Sequence, residues 1–72
     1  TIGEYEEILH RQNAVCEICS ASPGKVKLNV DHDHKTGFIR GLICHKCNRG
    51  LPWFRDRADL LRRAATYLEA GL

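Results

Sequence analysis

A chain of 72 residues has room for one hydrophobic core, since two domains of that combined length would each leave most of their surface wet. A hydrophobic fraction of 43% and a charged fraction of 28% exclude a disordered tail, and no apolar run approaches the roughly 20 residues that cross a bilayer. The net charge of +2 permits a nucleic-acid partner without arguing for one.

Residues 1–12 read as a helix. Thr1 and Glu4 have the spacing of a capping box, and Ile2, Tyr5, Ile8, Leu9 and Gln12 recur on one stripe. Gly3 weakens the pattern a little, and Asn13 suits a stop. Residues 14–24 hold the first cysteine pair and then Ser20-Ala21-Ser22-Pro23-Gly24, which is knuckle and loop chemistry. Over residues 26–31, Val26, Leu28 and Val30 alternate with Lys27, Asn29 and Asp31, the pattern of a half-buried strand. A polar loop is expected over 32–37 and a second strand over 38–43, together forming a hairpin. Residues 44–53 should begin as a knuckle and become a short helix, its end blurred by Gly50 and Pro52. Asp56 is expected to N-cap a last helix with Asp59 at its third position. Leu60, Leu61, Ala64, Tyr67 and Leu68 would be that helix's buried stripe, and Gly71 its stop. Trp53 and Phe54 are expected in the core, Tyr5 and Tyr67 in helix packing, and His10 and His45 in solvent.

A core this small usually needs a staple, and four cysteines offer one. They stand as Cys16-Glu17-Ile18-Cys19 and Cys44-His45-Lys46-Cys47. Two residues between paired cysteines let both sulfurs converge on one ion, and four thiolates in a tetrahedron suit zinc. Two disulfides remain an alternative for a secreted chain. A redox pair would need a βαβ setting, and haem attachment would need His after a pair, where Ser20 and Asn48 stand. A site closed by four cysteines stabilises the fold and does no chemistry.

Asp31-His32-Asp33-His34 falls at the end of the first strand. Histidine can take a proton from water near neutral pH, and aspartate is a hard oxygen ligand for magnesium or manganese. Adjacent strand residues face opposite sides, so Asp31 and His32 need not compete for one role. Asn48 follows the last cysteine, where its carboxamide could complete a metal site, although a cap is the plainer reading of that residue alone. Judged on these residues, hydrolysis of a phosphodiester and a solvated polar turn weigh equally, with a weak second metal site behind them. Lys35, Arg40, Lys46 and Arg49 cluster around the histidines and the second cysteine pair. They are candidates for backbone phosphate contacts, against the plain alternative of a surface ion pair.

Taken in order, Tyr5-Glu6-Glu7-Ile8-Leu9, the first cysteine pair, Asp31-His32-Asp33-His34-Lys35-Thr36-Gly37, Ile39-Arg40-Gly41-Leu42-Ile43 and Cys44-His45-Lys46-Cys47-Asn48 resemble the recombination endonuclease VII family. That is a phage-associated branch of the His-Me finger, HNH-like nucleases. The resemblance implies an α+β fold over residues 1–72: a zinc-stabilised ββα-metal domain, a hairpin flanked by N- and C-terminal helices. It implies His32 as general base, with His34 at the phosphate. It implies Asp31 and Asn48 as ligands of one Mg2+ or Mn2+, and Cys16, Cys19, Cys44 and Cys47 as ligands of a structural Zn2+. The substrate would be DNA, met in the host cytoplasm and away from any membrane. Leu51 stands where some members have an acid, so the metal site would hold fewer carboxylates. A monomer would suffice for nicking, and a dimer stays open. The competing reading is a non-catalytic zinc module that binds nucleic acid or protein.

Overall fold

The computed structural model describes residues 1–71. Its elements are α1 (Ile2–Arg11), β1 (Asn29–His32), β2 (Ile39–Ile43), α2 (His45–Trp53) and α3 (Ala58–Glu69). Thr1 caps α1 as its sequence dictates. The Thr1 hydroxyl accepts from the Glu4 amide at 3.2 Å, and the Glu4 carboxylate accepts from the Thr1 amine at 3.4 Å. The helix ends at Gln12, and Asn13 follows in the left-handed region at φ 56°, a conformation asparagine tolerates better than most residues.

β1 and β2 form the expected antiparallel hairpin, but β1 is displaced along the chain. Val26 lies outside it and is 64% exposed, whereas His32, expected in the loop, is its last residue. The reason lies in the turn. The Asp33 carboxylate accepts from the amides of Lys35 and Thr36 at 2.8 and 3.0 Å. The Gly37 amide donates to the Asp33 carbonyl at 2.8 Å, and the Asp33 amide to the Phe38 carbonyl at 2.8 Å. This Asx-type turn closes over 33–37, so pairing can begin at His32. Gly37 sits at φ 78°, where glycine alone is free of strain. Phe38, expected in the second strand, precedes β2 and is exposed. The register pairs Asp31 with Gly41 and His32 with Ile39. Arg40 is therefore the extra residue of a β-bulge, a device that re-aims a side chain.

Cys16, Leu28, Leu42 and Ile43 are fully buried. Tyr5, Ile8, Leu9, Cys44, Cys47 and Leu51 pack around them. Two polar clamps join α1 to the hairpin side. Tyr5 donates its hydroxyl to the Leu28 carbonyl at 2.7 Å. The Gln12 carboxamide accepts from the Leu42 amide at 2.9 Å and donates to the carbonyls of Leu42 and Val15 at 2.9 and 3.0 Å. Gly41 leaves space for this: a Cβ there would meet the Gln12 Oε1 at 3.3 Å. Gln12→Ala strands the Leu42 amide and the Val15 carbonyl, while the Leu42 carbonyl keeps the Glu17 amide at 3.1 Å. It is expected to cost about 1–3 kcal/mol, read as a lower urea midpoint with unchanged slope.

The last third of the chain departs most from expectation. The N-cap of α3 is Arg57, without a side-chain bond to the helix, rather than Asp56. Asp59 is the second residue of α3 and pairs with Arg57 at 2.6 Å. Tyr67 and Leu68, expected in a buried stripe, are 77% and 75% exposed, while Leu60, Leu61 and Ala64 are half-buried. The closely packed pairs are β1 with β2, α1 with β2 and α2 with β1. α3 is in none of these pairs, and the far end of its apolar stripe, at Tyr67 and Leu68, stays wet. The expected stop at Gly71 holds, at φ 68° just past the Ala70 cap. Trp53 is 84% exposed and Phe54 is also exposed, against the expected core placement. Cys47 and Leu51 take the inward face of α2, and a residue two positions beyond Leu51 is turned about 200° away from it.

Candidate functional site

The two cysteine knuckles meet beside the core. Ser20 follows Cys19 at φ 64°, and its amide donates to the Cys16 carbonyl at 2.9 Å, which curls the first knuckle. Cys44 caps α2, its sulfur accepting from the Cys47 amide at 3.4 Å. The four sulfurs all lie within 4.8 Å of one another, with Cys19 and Cys44 at 3.7 Å. The four cysteines are not joined in disulfides, and a cluster of all four favours an ion over the disulfide alternative. Four sulfurs about 2.3 Å from a central zinc would sit about 3.8 Å apart, so the cluster fits a tetrahedral ion such as zinc. Its electrostatics agree. Burial opposes ionisation of Cys16, but amide donors from Cys19, Cys44 and Ile18 outweigh it and hold that thiol down at about 6. Burial, then hydrogen bonding with the other three sulfurs, pushes Cys47 up to about 12. The Cys47 amide lowers Cys44. One dication at the centre replaces this mutual repulsion by attraction.

The hairpin end gathers the second set of groups. Asp31 is half-buried, and both its oxygens accept from Arg40: Nε to Oδ2 at 2.7 Å and Nη2 to Oδ1 at 3.0 Å. The bulge aims Arg40 back along the strand to make this fork. The Asp31 hydrogen bonds, then its charge and those of Asp56 and Asp33, raise the Arg40 pKa. Asp33 is held below its ordinary range by the amides of Thr36 and Lys35. His32 is exposed and lines a cleft of about 250 Å³ with Tyr5, Ile8, Val30 and Leu42. Asp31 and Asn48 are not among the walls of that cleft. Asn48 lies in the first turn of α2, which packs against β1, and is half-buried. Its amide donates to the Cys44 carbonyl at 2.9 Å, so one peptide bond joins it to the cysteine cluster. Lys35, Lys46 and Arg49 are exposed.

His34, on the turn, meets a residue that sequence reasoning assigned elsewhere. Its Nε2 lies 2.9 Å from Asp56 Oδ2. Local spacing made Asp56 a helix cap, and nothing nearby in the chain signals a partner 22 positions back in the numbering. Leu51 packs against the core, which accounts for an apolar residue there.

Residues 1–70 match the family described as recombination endonuclease VII. Similar proteins include the Gene 59 protein of Mycobacterium phage D29, 50% identical over 70 residues, and the Gene 59 protein of Mycobacterium phage L5, 49% identical over 70 residues. The aligned region takes in 94% of this chain and 42% and 43% of those proteins, so the chain spans less than half the length of the curated relatives it matches.

Proposed function

The chain belongs to the recombination endonuclease VII family, and from that premise we propose that it is a metal-dependent DNA endonuclease of the His-Me finger type. The observation that carries this reading is the order of its chemistry. Within a family match covering residues 1–70, Asp31-His32 ends a hairpin strand and Asn48 directly follows the last cysteine of the four-sulfur cluster. The cluster takes Zn2+ as a structural ion. Asp31 and Asn48 offer a carboxylate and a carboxamide, hard oxygen donors that suit Mg2+ or Mn2+. When bound there, such an ion supplies positive charge for the scissile phosphate and the departing 3′ oxygen.

His32 takes the proton of a water molecule as that oxygen attacks phosphorus. The bond from phosphorus to the 3′ oxygen breaks and that oxygen takes a proton from solvent, giving 5′-phosphate and 3′-hydroxyl ends. His34 contacts the phosphate, and Lys35, Arg40, Lys46 and Arg49 hold the backbone without reading sequence. The relatives are phage proteins, and no helix among the described residues is long and apolar enough to cross a membrane. The phage relatives favour action on DNA in the cytoplasm of an infected cell.

The test is conversion of supercoiled plasmid to open circles with Mg2+, Mn2+ or EDTA. Nicking is expected only with a divalent ion, and Asp31→Ala should abolish it while zinc content stays at one per chain. A wild type that leaves plasmid intact under every divalent ion would overturn the reading in favour of a binding module. Arg40 offers a further check, because its guanidinium occupies the carboxylate that the ion needs. Arg40→Gln is expected to tighten Mn2+ binding measured calorimetrically without DNA. The same variant should weaken DNA binding and reduce its salt slope by about 1. Mn2+ titrations that match wild type would remove Arg40 from the site.

A further inference from the structure

The corner between α2 and α3 is built around Asp56. Arg55 and Asp56 stand consecutively in the left-handed region at φ 56° and 54°, a strained arrangement for residues with a Cβ. The corner is over-determined by hydrogen bonds to the end of α2. The Asp56 amide donates to the Leu51 carbonyl at 3.0 Å, and the Arg55 amide to the Pro52 carbonyl at 2.8 Å. This reversal starts α3 one residue later than the chain's own cap signal, without a side-chain cap. The carboxylate is thereby released from the helix and turned to the hairpin, where its Oδ2 meets His34 Nε2 at 2.9 Å. The Asp56 side chain is 24% exposed and the His34 side chain 78%. A shielded carboxylate thus holds one edge of an imidazole that is otherwise open to solvent. Such a carboxylate fixes ring orientation and leaves the other nitrogen for a ligand.

We propose that Asp56 is a positioning residue for His34, accepting from Nε2–H so that, in the imidazolium form, Nδ1–H is the donor presented to the substrate phosphate. This rests on the nuclease reading above for the role of His34, but the contact can be tested apart from cleavage. Asp56→Gly is the informative variant, because glycine keeps the left-handed backbone without strain and removes only the carboxylate. In long-range 1H–15N spectra of the zinc-loaded protein, His34 should differ from the exposed His10, and in Asp56→Gly it should move onto the His10 pattern. Plasmid nicking by Asp56→Gly should lose kcat on the order of tenfold to a hundredfold, with KM little changed. Asp56→Asn, which retains an acceptor oxygen, should recover part of the loss. Combined with His34→Ala, Asp56→Gly should add nothing further. A variant that keeps the wild-type His34 spectrum or the wild-type kcat overturns the proposal while leaving the nuclease reading intact. A wild type that nicks nothing overturns both, even where the spectra register the contact.

Discussion

A His32→Ala protein is expected to lose plasmid nicking by about 10²–10⁴-fold while keeping its fold and its zinc. The separation is clean because of where His32 lies. It ends β1, its backbone pairs with Ile39, and its side chain is exposed at the edge of a cleft. Truncation opens no cavity in the Cys16, Leu28, Leu42 and Ile43 core, so stability should change by less than about 0.5 kcal/mol. What is removed is the imidazole that accepts the proton of the attacking water. The measurement is single-turnover nicking in Mg2+ beside thermal unfolding of the same sample. Equal rates for mutant and wild type would withdraw the role of general base from His32.

Cys44→Ser should have the opposite profile: no stable fold, and therefore no activity. Serine supplies a hydroxyl acceptor in place of the capping sulfur, so the cap on the Cys47 amide can survive and the change isolates the metal. Among the described residues the buried core is four side chains, too little by itself to offset the chain entropy of a domain this size. Structural zinc in small domains contributes about 10–16 kcal/mol in apparent binding energy at neutral pH, comparable with the whole stability of a domain. Circular dichroism should show loss of helix in Cys44→Ser, and a chelator should produce the same spectrum from wild type. Acid should act alike, because protons compete with the ion for thiolates. A Cys44→Ser protein that unfolds cooperatively without metal would assign the fold to its hydrophobic core instead.

Much of this molecule is legible because its signals are local. The Thr1–Glu4 capping box, the stop at Asn13, the glycines at 37 and 71 and the two cysteine pairs each act over a few residues. Their outcome depends little on what packs above them. Gln12 shows where such reading stops. It fits the helical stripe of α1, yet its value is a two-bond clamp on a strand 30 positions away. No pattern in α1 distinguishes a polar residue that will find that strand from one that will face water.

The same limit governs the candidate site. Asp31 and Arg40 were both legible as charged residues near the histidines, but their pairing depends on the bulge that puts one extra residue opposite Asp31–His32. Trp53, Tyr67 and Leu68 were expected inside because apolar periodicity marks a face, and burial requires a second surface to cover it. Among the described residues nothing covers Trp53, Tyr67 and Leu68, whereas Leu60, Leu61 and Ala64 are half-buried.

By itself, then, the order of residues determined the element types, the four-sulfur site and the family, because short-range geometry and ligand chemistry travel with the chain. Three-dimensional packing alone decided which carboxylate meets which nitrogen group. Asp56 left its helix for His34, and Arg40 closed on Asp31. Those choices follow from the angle at a corner and the register of a hairpin, and both are set by contacts between segments distant in the chain.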